Sequence, residues 1–310
     1  KSYSGSLNIP SVIGDSNYKV VAIGNSAFYG CESLINVTIP DSVISIDNMA
    51  FGGCLSLRSV DLPKSIYVIN SSTFKDCKNL SRINLENITE IGESAFENCS
   101  SLKSVEFNNL KTIGEKAFAC TSLDELTIPK SITDIYESAF YGCAVKKVIF
   151  NSNECCFEHG WGGDRWDFEP AFEGCSQLTT IVFGENVTNI PAYICKNVSS
   201  LKNIVFNGQI ETIGNGAFWG CSSLSSFDLP ESISEIGSSA FKNCENLSRI
   251  NLENITEIGD SAFENCSSLK SVEFNYLKSI GEKAFACTSL EEITIPKSIT
   301  DIYESAFYGC

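Results

Sequence analysis

The residues whose chemistry is most distinctive lie in one short stretch, residues 151–170. Cys155, Cys156 and His159, the single histidine of the chain, offer the sulfur and nitrogen atoms that zinc sites and Cys–His nucleophiles use. Adjacent cysteines are poorly placed to chelate one ion, and no residue is identifiable as the third group that orients a Cys–His pair. The two cysteines could also form a vicinal disulfide or pair with other cysteines, so these alternatives stay open.

The same stretch carries side chains that suit recognition. Trp161 and Trp166 are two of the three tryptophans, and Arg165 lies beside the second. Tryptophan and arginine are frequent anchors of interfaces. Three interpretations compete: a loop whose aromatic cluster caps a break in the repeat, a recognition loop, and a metal or catalytic site. The plain loop is favoured because it needs no further residue, while His159, Trp161, Arg165 and Trp166 are the candidate ligand-binding residues. We expect no catalytic residue, no metal and no cofactor.

Outside this stretch the chain repeats itself. An Ala-Phe pair, or a close variant of it, is followed by cysteine thirteen times. The anchors are Ala27-Phe28-Cys31, Ala50-Phe51-Cys54, Thr73-Phe74-Cys77, Ala95-Phe96-Cys99, Ala117-Phe118-Cys120, Ala139-Phe140-Cys143, Ala171-Phe172-Cys175, Ala192-Tyr193-Cys195, Ala217-Phe218-Cys221, Ala240-Phe241-Cys244, Ala262-Phe263-Cys266, Ala284-Phe285-Cys287 and Ala306-Phe307-Cys310. A period of this size indicates a solenoid of stacked coils.

Each repeat unit predicts two strands. The run Leu34, Val37, Ile39 places apolar side chains on one face of an extended segment, and an Ile-Gly pair later in each repeat predicts a second short strand on the opposite wall. The Ala-Phe-x-x-Cys segment predicts a tight turn or a single 3-10 turn. We therefore expect one domain, residues 1–310, that is mostly β, with a parallel sheet on one face and about 13 coils of about 23 residues.

The recurring position of the cysteines predicts their state. Thirteen of the fifteen occupy the same point of the repeat, so they should form a column of buried free thiols that act as small apolar groups. Disulfides between adjacent coils are the alternative, but an odd total leaves at least one cysteine unpaired.

The repeat resembles a known family. The pattern Ala-Phe-x-x-Cys-x-x-Leu-x-x-Ile-x-Ile-Pro-x-Ser-Ile-x-x-Ile-Gly, almost intact between Ala217 and Gly237, is similar to BspA-like leucine-rich repeats over essentially the whole chain. The resemblance implies a leucine-rich-repeat solenoid that is secreted or displayed on a cell surface, takes part in adhesion and has no catalytic residues. Such proteins occur largely in anaerobic host-associated bacteria and some mucosal parasites, a setting that suits unpaired cysteines.

A second candidate site lies on the outward face of the predicted strands. Most outward positions are polar, but Ile149, Val182 and Val205 in three consecutive repeats form an apolar stripe beside Lys147. Ordinary β-propensity explains such residues as well as a binding patch does. If there is a ligand, we expect it to centre on residues 145–210.

Charge and length limit the possible functions. The net charge is −16, which disfavours nucleic acid, and no run of eighteen apolar residues predicts membrane insertion. The segment 75–143 recurs as 242–310 with seven differences in 69 residues, which suits a function that scales with length. The chain starts without Met and stops inside a repeat, so we expect the natural protein to continue and any signal peptide to lie outside it.

We therefore expect an extracellular or cell-surface adhesion module that binds a host or microbial surface protein or glycan. The first alternative is a passive spacer that carries another domain outside this segment. The second is an enzyme housed in residues 151–170.

Overall fold

The computed structural model describes residues 5–15, 18–157 and 169–310. The chain forms a parallel-sheet β-solenoid of about 12 turns, close to the expected 13. The described residues contain no helix. Contacts group the chain into two compact units, residues 1–145 with 158–171, and residues 146–157 with 172–310. Each unit is described by itself below.

The first unit has strands on two walls and a small hairpin. Its strands are β1 Gly5–Asn8, β2 Val12–Ile13, β3 Tyr18–Lys19, β4 Ala22–Ile23, β5 Leu34–Thr38, β6 Ser45–Ile46, β7 Ser59–Asp61, β8 Val68–Ile69, β9 Arg82–Ile83, β10 Glu90–Ile91, β11 Thr112–Ile113, β12 Glu125–Ile128 and β13 Asp134–Ile135. On the first wall β1, β5, β7 and β9 pair in parallel in that order. On the second wall β4 pairs with β6, and β8, β10, β11 and β13 pair in that order. The β2–β3 hairpin is antiparallel.

The second unit repeats this arrangement. Its strands are β14 Lys147–Phe150, β15 Cys156–Phe157, β16 Thr180–Phe183, β17 Asn189–Ile190, β18 Asn203–Phe206, β19 Thr212–Ile213, β20 Ser226–Phe227, β21 Glu235–Ile236, β22 Arg249–Ile250, β23 Glu257–Ile258, β24 Ser279–Ile280 and β25 Asp301–Ile302. On the first wall β14, β16 and β18 pair in parallel, as do β20 and β22. The six strands β17, β19, β21, β23, β24 and β25 make the second wall.

The core consists of columns of equivalent side chains. On the first wall Leu34 and Val37 are buried while Asn36 between them is exposed, as the alternation of a strand requires. The phenylalanines of the turns stack from coil to coil. Their ring centroids lie 5.2 to 5.6 Å apart from Phe28 to Phe140 in the first unit and 5.2 to 5.7 Å apart from Phe218 to Phe307 in the second. Offset stacking adds specific attraction to the area that each ring buries.

The cysteine column is present, and its thiols are free. Buried members donate to the carbonyl of a phenylalanine in the preceding coil: the distance from Cys77 Sγ to Phe51 O is 3.2 Å. Burial raises the pKa of these thiols, that of Cys54 to about 12, because a thiolate loses its hydration there. A neutral thiol that donates one weak hydrogen bond suits this position.

The prediction that all thirteen anchor cysteines share this column is wrong at Cys120 and Cys287. Both are exposed and have positive φ, 56° and 57°, at the point where Gly142 stands one coil later. The buried position belongs to the next residue: Thr121 donates to Phe118 O at 2.8 Å and lies 3.2 Å from Cys143 Sγ. The sequence spacing indicates that Thr121 takes the cysteine position, because it lies 22 residues from both Cys99 and Cys143.

The register assigned to Cys195 is also wrong. Its N–H donates to Ala217 O, a bond that phenylalanine makes elsewhere, as between Phe218 and Ala240. Cys195 therefore stands in the phenylalanine column, and the buried Val198 takes the cysteine position. Val198 lies 23 residues from both Cys175 and Cys221, so the period is kept while the residue types change.

The stretch 151–170 contains a short strand, β15. Phe157 is 9% exposed, and its ring centroid lies 6.3 Å from that of Phe150. This apolar residue of β15 therefore contributes to the core.

The glycine after the second-wall isoleucine is required by the close approach of consecutive coils. A Cβ on Gly114 would lie 2.7 Å from Glu93 N and 2.8 Å from Gly92 C, closer than real Cβ atoms come. Gly92, Gly214, Gly237, Gly259 and Gly281 are in the same situation. Gly24 holds the equivalent place in the first coil, where a Cβ would meet nothing within 4 Å.

We predict that Gly114→Ala destabilises the protein and that Gly24→Ala does not. The alanine methyl at 114 forces the backbones of two coils apart, at a cost of about 1–3 kcal/mol. Urea denaturation followed by circular dichroism measures both. Equal midpoints for the two variants would contradict the close-approach argument.

We also predict that four of the fifteen thiols react in the native protein. Cys120, Cys156, Cys287 and Cys310 are exposed, whereas the others are buried, and burial raises the pKa of thiols such as Cys54 and Cys99. Titration with Ellman's reagent at pH 8, before and after unfolding, gives the two counts. Cys120→Ser should lower the native count by one, and Cys99→Ser should leave it unchanged. Rapid native labelling at Cys99 would contradict the buried column.

Candidate ligand-binding surface

The structure brings the predicted stripe together in one sheet. Ile149, Val182 and Val205 are direct partners on β14, β16 and β18. Lys147 begins a neighbouring row of the same sheet: it pairs with Thr180, which pairs in turn with Asn203. Because neighbouring strands lie about 4.8 Å apart, the three branched side chains form a continuous row along one face.

This apolar row is accessible. Val205 is 41% exposed, and Ile149 and Val182 are half-buried, whereas Val148 and Ile181 on the opposite face are buried. Outward positions of the first unit are polar instead, for example Thr38 on β5 and Asp61 on β7. The row is therefore a local departure from a polar face.

The segment after β14 is fixed to the following coil. Asn153 Nδ2 donates to Asn186 O, and Asn153 Oδ1 accepts from Thr188 N, both at 2.7 Å. Cys155 is buried and Cys156 is exposed, and neither is in a disulfide. The other candidates, His159, Trp161, Arg165 and Trp166, lie outside the described residues, so their role stays a prediction.

Within residues 5–15, 18–157 and 169–310, no group of three or more His, Cys, Asp or Glu is placed to hold a metal ion. Over the same ranges, no helix is long and apolar enough to cross a membrane.

A polar groove that the sequence pattern did not predict lies on the second wall of the second unit. Its volume is about 590 Å³, and its floor follows Gly214, Gly237, Gly259 and Gly281. Glu235 contributes to its rim. These four glycines lie on consecutive coils, each after a second-wall isoleucine, and this run of Ile-Gly pairs is the sequence feature that marks the groove.

A cross-coil ion pair recurs in both copies of the duplicated segment. Lys75 Nζ lies 2.8 Å from Glu97 Oε2, and Lys242 Nζ lies 2.8 Å from Glu264 Oε2. Burial opposes ionisation of Glu97, but hydrogen bonds from Lys75 and Ser94 outweigh it, so the pKa of Glu97 lies below its ordinary value. The hydrogen bond to Glu97 raises the pKa of Lys75.

Parallel strands on two walls, tight turns and columns of Leu, Ile, Phe and Cys define a leucine-rich-repeat solenoid. The model of the BspA type leucine rich repeat region matches residues 5–154, 168–253 and 188–310, in six copies. The chain therefore belongs to this family, whose repeats build binding modules and are typically scaffolds without enzymatic activity.

Several solved structures of similar proteins come from bacteria. A leucine-rich repeat protein from Bacteroides ovatus is 27% identical, with 94% of this chain and 91% of that chain covered and a TM-score of 0.47. A leucine rich cell surface protein from Faecalibacterium prausnitzii is 27% identical, with 87% of each chain covered and a TM-score of 0.44. The pneumococcal vaccine antigen PcpA is 21% identical, with 98% of this chain and 85% of that chain covered; its TM-score of 0.52 shows the shared fold. No curated protein sequence matches this one.

We predict that the Lys75–Glu97 pair stabilises the fold only between two limits of pH. A lowered carboxyl pKa gives stability that is present above the ordinary glutamate pKa and is lost as pH falls through the folded value. A raised lysine pKa gives stability that is lost as pH rises through its folded value. Glu97→Gln should therefore cost about 0.5–1 kcal/mol at neutral pH, and this deficit should shrink as pH falls through the folded carboxyl pKa, as measured by urea denaturation. Asp61→Asn, which removes the exposed partner of Arg82, is the control. A Glu97→Gln deficit that does not change with pH would contradict the ion-pair account.

Proposed function

We propose that this protein is an extracellular or cell-surface adhesion module that binds a host or microbial surface protein through the apolar row Ile149, Val182 and Val205. The observation that carries the proposal is the in-register exposure of these three side chains on β14, β16 and β18. Membership of the BspA-type family supports a location outside the cell.

The chemistry of the row favours a protein partner. Contiguous apolar side chains on a polar face release ordered water when a partner covers them, and the gain grows with the buried area. Lys147, in the neighbouring row, supplies a charge that can fix the orientation of the partner. A rigid sheet presents these groups without a cost in backbone ordering, which favours affinity.

A passive spacer is the competing function, and the duplication of three coils is the observation in its favour. A spacer needs length and solubility but no local recognition surface. It therefore requires no exposed apolar side chain on the outward face, and the row speaks against it.

We predict that replacing Ile149, Val182 and Val205 with serine lowers ligand capture at least tenfold, because losing the apolar contact removes more than about 1.4 kcal/mol of binding free energy. Wild type and variant are assayed on immobilised extracellular-matrix proteins and on whole microbial cells. A matched control replaces the exposed β5 residues Asn36 and Thr38 with serine.

Circular dichroism first confirms that both variants are folded. If the triple variant is folded and binds as the wild type does, the proposed surface is ruled out. If the wild type captures none of these partners, the spacer function is favoured instead.

A further inference from the structure

We propose that the two copies of the duplicated segment each hold a site for one neutral or amino sugar ring, in a cleft between consecutive coils of the first wall. One cleft is lined by residues 81–86 and 104–106 of the first unit. The other is lined by residues 249–253 and 271–273 of the second unit. This inference is independent of the apolar row, with which the clefts share no residue.

The two clefts have the same size and the same lining. Each has a volume of about 240 Å³. Arg82, Glu86 and Glu106 in the first correspond to Arg249, Glu253 and Glu273 in the second, and none of the seven differences between the copies falls on a lining residue. The cleft therefore appears twice in the chain, in two different surroundings.

The clefts exist because the backbone ladder is interrupted. On one side β9 pairs with β7, Arg82 opposite Ser59, and in the second copy Arg249 pairs with Ser226. On the other side, no backbone hydrogen bond joins residues 81–86 to 103–107, or 248–253 to 270–274, in the described chain. Apart from Glu253 O, which accepts from Asn275 N, the backbone groups along this gap have no backbone partner across it among the described residues and can bond to water or to a ligand.

The regular spacing of the coils on either side of the gap argues against an inserted peptide strand. On the second wall the same coils are joined in register, Glu90 to Thr112 and Glu257 to Ser279. In the turns, the centroids of the stacked rings of Phe96 and Phe118 are 5.2 Å apart. An added strand would need roughly 9.6 Å between the coils. A ligand must therefore be small, and about 240 Å³ is less than the space a drug-sized molecule occupies.

The lining suits a ligand that both donates and accepts hydrogen bonds. The guanidinium of Arg82 donates only, and the carboxylates of Glu86 and Glu106 accept only, so a ring of hydroxyl groups matches both. Asp61 Oδ1 lies 2.7 Å from Arg82 Nη2, and the equivalent atoms of Asp228 and Arg249 are 2.5 Å apart. Carboxylates outnumber the guanidinium, which disfavours anionic sugars and favours neutral sugars or protonated amines.

Two equal sites in one chain suit a ligand that carries many copies of one sugar. A single small cleft binds weakly, but linked sites raise the apparent affinity without any new contact. Surface glycans present such repeated rings.

The test uses the whole chain and soluble polymers that display galactose, mannose, N-acetylglucosamine or glucosamine. We expect at least one polymer to be captured by the immobilised protein. Arg82→Gln and Arg249→Gln should each weaken that capture, and the double variant should weaken it at least tenfold. Both arginines are exposed, so these variants are expected to fold. Arg58→Gln removes the same charge from an exposed position outside the clefts and should leave capture unchanged.

A second pair of variants fills the clefts without changing charge. Ser104→Phe and Ser271→Phe together place rings in the two openings and should abolish capture. The proposal is overturned if no sugar polymer is captured, if the double arginine variant binds as Arg58→Gln does, or if the filled variant still binds. Capture of an extended peptide instead of any sugar, lost in the same variants, would also overturn it. Capture lost only in the Ile149, Val182 and Val205 variant would assign binding to the apolar row.

Discussion

The close approach of consecutive coils is the constraint on which the rest of this structure depends. At Gly92, Gly114, Gly214, Gly237, Gly259 and Gly281 the backbone passes so near the preceding coil that no Cβ fits. Consecutive coils also bring phenylalanine rings to about 5.5 Å and place buried sulfurs such as that of Cys77 against a carbonyl of the coil before. The core is thus a set of columns, and each column is as regular as the contact between two neighbouring coils.

The architecture could be predicted from sequence because a column needs the same residue type at each step. Leu34, Val37 and their equivalents alternate with polar residues, and such a pattern has few structural solutions. The predicted cysteine positions were wrong where a cysteine does not stand at the point of the repeat that the period requires. Cys120 and Cys195 are cysteines, but they lie outside the buried column. Thr121 and Val198 occupy the column positions in their coils instead. Regular spacing was the better guide, because the backbone period is imposed by stacking while a small buried position accepts several side chains.

Of the two candidate sites, one could be predicted from the sequence and the other could not. The row Ile149, Val182, Val205 could be found from sequence because register in a parallel sheet follows from the repeat. The twin clefts could not, because residues 102–107 have the same apolar alternation as the strands that do pair. Whether two segments form a ladder depends on backbone positions that the alternation does not specify. The duplication made those clefts recognisable, since the interruption occurs at the same place in both copies.

The buried sulfurs have a consequence for the life of the molecule in an oxidising medium. A thiol such as Cys99, enclosed on all sides and kept protonated, meets an oxidant only when its coil opens. Oxidation of the buried column is then slowed by the rarity of such openings in the native state. Packing alone thus supplies a kinetic barrier for the buried thiols, whereas the four exposed cysteines lie outside that protection.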